Sequence, residues 1–155
     1  MLDDAPLKLL AFDAEDLKVL SVHLQDAELT TSDLIYLPRE RRFAFAADRF
    51  DWEASVSGKG TRRRRTAVHF EGVTAVRSRG VDTAKKDQAL TLLALAFEPG
   101  EAPGGSVHLL FLDGACVKLD VECLEAAFKD LGPTWTCSCC PSHPEADEPA
   151  KAEVA

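Results

Sequence analysis

No stretch of this 155-residue chain approaches the roughly 20 consecutive apolar residues that a membrane helix requires, so no membrane span is expected. The opening MLDDAPLKLLAF has acids where a secretory signal carries basic residues, and Lys8 interrupts its apolar run. The five cysteines are odd in number and lack the regular spacing of a disulfide scaffold. Free thiols and a cytoplasmic location are expected from that. Reaction motifs are missing as well: there is no nucleophile elbow, no glycine-rich phosphate loop, no H-E-x-x-H and no paired-carboxylate motif. No cofactor is implied. A net charge of −8 and the lack of a nucleic-acid-binding motif argue against nucleic acid as a partner.

What is present begins with charge layout. Segment 39–86 holds thirteen Lys and Arg against six Asp and Glu, a net +7, leaving −15 for the rest of the chain. Arg39, Arg41, Arg42, Arg62, Arg63, Arg64 and Arg65 dominate this basic middle, with Arg77 and Arg79 beyond them. Guanidinium groups suit bidentate contact with phosphate or carboxylate, and Trp52 would supply an aromatic anchor beside them. The expectation is a non-catalytic binding or adaptor module that meets an anionic ligand or an acidic protein through these residues. The bland alternative is that the arginines protect strand ends and pair with the chain's own acids. A third reading is a small-molecule binder or enzyme with an interior pocket that includes His69 or His108.

TCSCCPSH, at 136–143, raises a metal reading through Cys137, Cys139, Cys140 and His143. Zinc prefers four ligands from two separated knuckles, and adjacent Cys139 and Cys140 suit one ion poorly. The cluster also falls where periodicity ends and PEADEPAKAEVA begins, an acidic stretch without aromatics. A single globular domain over 1–135 and a Cys-containing, acidic, disordered tail over 136–155 are therefore expected.

Along the chain, Asp13 and Asp16 read as a helix cap, followed by Leu17, Leu20 and Leu24 on one helical face. Seven strands follow: 34–37, 43–47, one starting in the arginine run and ending near Phe70, 73–79, 90–97, 107–112 and 116–121. The run at 90–97, LTLLALAF, reads as a central strand covered on both faces. Leu124, Ala127, Phe128 and Leu131 suggest a last helix over about 122–131, ended by Gly132 and Pro133. The expected class is α+β. Its sheet would be seven-stranded and antiparallel, or a partly closed barrel of pleckstrin-homology-like layout, with a helix at each end. An open α+β sheet with both helices on one face is the alternative.

Five segments together carry a family resemblance: LKLLAFDAEDLKVLSVHLQDA (7–27), IYLPRERRFAFAADRFDWE (35–53), RRRRTAVHFEGVTAVRSRGVD (62–82), LALAFEP (93–99) and VECLEAAFKDLGPTW (121–135). They resemble domain of unknown function 2948, a group of small alphaproteobacterial proteins. LPRERRFA and RFDWE are the most specific, because strand alternation alone does not dictate them. The resemblance implies a cytoplasmic bacterial protein with no established activity, whose gene stands near cell-wall precursor and histidine biosynthesis genes. It supplies no catalytic residues, and the cysteine cluster lies beyond the segments that carry it.

Overall fold

The computed structural model describes residues 6–50, 62–82, 87–132 and 135–136, with only the backbone for Arg62, Trp135 and Thr136. Eleven strands join in one antiparallel sheet: β1 (Lys8–Ala11), β2 (Ala27–Thr30), β3 (Leu34–Leu37), β4 (Arg42–Phe50), β5 (Arg62–Glu71), β6 (Val73–Arg79), β7 (Ala89–Pro99), β8 (Gly105–Phe111), β9 (Cys116–Val121), β10 (Ala126–Asp130) and β11 (Trp135–Thr136). The main order is β1-β10-β5-β4-β2-β7-β8-β9-β6, with β11 beside β5 and β3 beside β4. The sheet is not closed. β5 and β6 are nonetheless one run of chain bent at Gly72, whose φ of 69° favours glycine. This single residue carries the chain from the middle of the path to its far end.

Among the described residues one α-helix, α1 (Ala14–Leu24), packs against β7, β1 and β4. Its cap is Asp13, whose Oδ1 accepts from the Asp16 N–H at 2.8 Å, while Asp16 Oδ2 accepts from Phe12 N–H at 3.1 Å. Leu17, Leu20 and Leu24 point inward and are buried. Inward-facing side chains of β4, β5, β7, β8, β9 and β10 complete a continuous apolar core, including Phe43, Phe45, Phe70, Leu92, Leu109, Leu119 and Phe128.

The seven-stranded layout with two helices is overturned. The seven expected strands correspond to β3–β9, but β1, β2, β10 and β11 add to them, and residues 122–131 form no helix. The segment expected to be helical contains β10. Its buried residues, Leu124, Ala126, Phe128 and Asp130, alternate, whereas Leu131, which completes the helical stripe, is 45 % exposed. An aspartate at an inward position disguises the period of two. The pleckstrin-homology-like comparison falls with that helix. β7 also differs from expectation: it lies inside the sheet, but only Leu90, Leu92 and Leu95 are buried, and Leu93 is 40 % exposed. A register shift against β8 between Leu92 and Ala94 re-aims the strand partway along.

Candidate functional site

The arginine-rich middle lies on β4 and β5, which pair from Arg42↔Glu71 to Phe50↔Arg63. Strand alternation therefore sorts its charges between two faces. Arg49 and Arg64 face each other across the strands on the core side and are buried. Asp130 joins them from β10, where it is aligned with Thr66. Arg49 grips its carboxylate with two hydrogen bonds, Nε to Oδ1 at 3.0 Å and Nη2 to Oδ2 at 2.8 Å. Thr66 Oγ1 donates to Oδ1 at 2.7 Å and the Leu7 N–H to Oδ2 at 2.8 Å. Arg64 Nε stands 3.9 Å from Oδ2. Burial pushes the Asp130 pKa up, but the donors from Arg49, Leu7 and Thr66, with the Arg49 charge, outweigh it and hold the pKa below its ordinary value. Phe128 backs the cluster, its ring centre 5.5 Å from the Arg49 guanidinium.

The opposite face carries a second set. Arg63 is 5 % exposed; its guanidinium covers the Phe50 ring at 3.9 Å, and its Nη1 donates to Asp48 O at 3.1 Å. Arg65 bridges two acids, donating to Asp48 Oδ1 at 3.0 Å and Asp33 Oδ1 at 2.8 Å. Desolvation opposes the Arg65 charge, but hydrogen bonds and attraction from Asp48 and Asp33 prevail and raise its pKa.

The expected binding residues thus separate. Arg63 and Arg64 are interior, and Arg65 is largely enclosed. Arg39, Arg41 and Arg42 are exposed at the β3–β4 turn. Arg41 pairs with Glu122, and Arg42 Nε donates to Glu71 Oε2 at 2.8 Å. Arg77 and Arg79 lie on β6, at the end of the strand path, and do not join the others. Trp52, Cys137, Cys139, Cys140, His143 and the Arg62 side chain lie outside the described residues. Among the described residues, no group of three His, Cys, Asp or Glu could hold a metal ion. Strand alternation could have announced Arg49 and Arg64 as inward; Asp130, Asp48 and Asp33, which meet these arginines, had no signal beyond their charge.

His69 and His108 do not line an interior pocket. His69 Nδ1 lies 3.2 Å from Glu71 Oε2, and His108 Nε2 lies 3.0 Å from Glu98 Oε1. His69 instead borders an open depression of about 420 Å³ with Leu10, Phe12, Glu71, Glu125, Ala126 and Ala127.

These features define an antiparallel β protein with one unclosed sheet, one covering helix and an internal arginine–aspartate site. Residues 7–143 match the family model described as Protein of unknown function (DUF2948), and the chain belongs to that family. No curated protein and no solved structure matches it. No helix among the described residues is long and apolar enough to cross a membrane.

Proposed function

We propose that the protein is a non-catalytic binding module that holds an acidic protein partner on the β3–β4 hairpin, in the cytoplasm. One observation carries the reading: exposed Ile35 (50 %) and Leu37 (38 %) share a corner with exposed Arg39, Arg41 and Arg42. β3 pairs only with β4 among the described residues, so its other edge offers free backbone donors and acceptors. An extended partner segment with alternating carboxylates and apolar side chains suits such an edge. The Arg41–Glu122 and Arg42–Glu71 pairs are exposed and inexpensive to exchange for a partner's carboxylates. Arg63 and Arg64 belong to the scaffold in this reading.

The test is hydroxyl-radical footprinting of purified protein with and without protein extract from its native host. Extract is expected to protect Ile35 and Leu37, and the R39E/R42E variant should lose that protection while its thermal midpoint stays close to the parent's. Equal labelling of Ile35 and Leu37 with and without extract overturns the reading.

A further inference from the structure

The outer face of β8, β9 and β6 sorts its side chains into rows. Directly paired residues on neighbouring antiparallel strands point to the same side of a sheet. His108 pairs with Lys118, and Lys118 with Arg77, so three basic side chains stand in line across three strands. The next row holds Leu110, Cys116 and Arg79. At such positions the Cβ atoms of Arg77 and Lys118 stand about 5 Å apart, and that of Arg79 about 7–8 Å from Lys118. Long side chains at these separations can meet at one point above the sheet.

The basic row is unfavourable as it stands. Like charges directly opposite each other destabilise a strand pair. Lys118 faces Arg77 on one side, and on the other it faces a further cation whenever His108 is protonated. Acids compensate only at the margins of the row. Arg77 Nη2 lies 3.6 Å from Asp120 Oδ2, and Glu98 is the acid beside His108. Asp120 is shared with Ser106, whose Oγ donates to its Oδ1 at 3.1 Å. Lys118 and Arg79 have no ion-pair partner among the described residues. Positive charge is thus left over at these two positions. Beside it the face turns apolar: Leu110, 39 % exposed, stands between Ala94 and Cys116, and exposed Leu112 follows two residues on.

We propose that Arg77, Arg79 and Lys118 bind the phosphate group of a phosphate ester whose apolar part lies along Leu110. The arginine forks match phosphate oxygens in pairs, and the lysine adds a point charge. An anion between Arg77 and Lys118 turns their repulsion into two attractions, which the unliganded sheet cannot do. A soluble phosphate ester and a phospholipid headgroup offer this same chemistry, and experiment separates them. None of these residues belongs to the β3–β4 hairpin, so the site does not rest on the reading given to it.

Two probes test the site on the full-length, isotope-labelled chain. One is phenyl phosphate in chloride-matched buffer, followed by nuclear magnetic resonance. The other is vesicles of phosphatidylglycerol in phosphatidylcholine, followed by sedimentation, with pure phosphatidylcholine as the control. Saturable shifts of the amide signals around Arg77, Arg79 and Lys118 with phenyl phosphate identify a soluble ester. Sedimentation with the phosphatidylglycerol vesicles, and not with the control, identifies a headgroup. In whichever arm responds, R79A/K118A should weaken binding by about tenfold or more. K129A, an exposed lysine on β10, should leave it unchanged. Circular dichroism establishes that each variant is folded. A parent that responds to neither probe overturns the site. So does an R79A/K118A variant that binds as tightly as the parent, or a K129A variant that loses as much.

Discussion

Two groups of arginines, close in sequence, meet different fates. Arg39, Arg41 and Arg42 stand in solvent at the β3–β4 turn, while Arg49 and Arg64 are enclosed, at 0 % and 1 % exposure. The exposed group forms single ion pairs that water and salt can replace. Within the enclosed group, Arg49 has lost its water and depends on Asp130 for compensation. Identical side chains are thus a replaceable surface in one place and an obligatory part of the interior in the other. Strand alternation makes the division: on β4, Arg42 and Arg49 are seven residues apart, an odd spacing that points them to opposite faces.

The comparison is broken most forcefully at Asp130. Asp130→Ala leaves Arg49 buried without its carboxylate and should cost about 3–5 kcal/mol, read as a lowered urea midpoint. A loss as small as that of a surface variant would mean the two groups do not differ. Acid should separate them next. The Asp130 pKa is lower in the folded chain than its ordinary 3.8, so its stabilising contribution is present above that value. As pH falls below 3.8 and through the depressed folded value, that contribution is lost. Thermal melts should therefore show a steep acid-side fall in the parent that Asp130→Asn flattens, from a lower starting stability. The smallest effect belongs outside. Arg42→Ala removes the exposed pair with Glu71 and should cost less than about 1 kcal/mol, a loss that high salt already reproduces in part in the parent. A larger loss would place Arg42 with the enclosed group.

Much of the strand pattern was legible because one side of each strand is apolar. Val117, Leu119 and Val121 alternate plainly in β9, and Asp113-Gly114 marks its turn, with φ of 69° and 83°. The capped helix was legible from Asp13, Asp16 and three leucines. β10 was not, because Asp130 occupies an inward position and Leu124, Ala127, Phe128 and Leu131 happen to fit a helical period. β1 escaped because its partner lies at the other end of the chain. The site was half legible. Arginine abundance was visible, but whether a guanidinium is inside depends on where its carboxylate arrives from. For Arg49 it arrives from 81 positions away.

The pairing of β1 with β10 has a consequence for how the chain reaches this state. Lys8 lies against Lys129, and the Leu7 amide reaches Asp130 across 123 residues. A contact so distant closes a long loop, and that entropy is spent before any stabilisation returns. During synthesis, β1 therefore has no strand to join, and the Arg49 guanidinium cannot meet the Asp130 carboxylate, until β10 has been made. β10 closes the sheet edge and brings the Asp130 carboxylate to Arg49 in one event. Assembly of this edge is thereby postponed until β10 has been made.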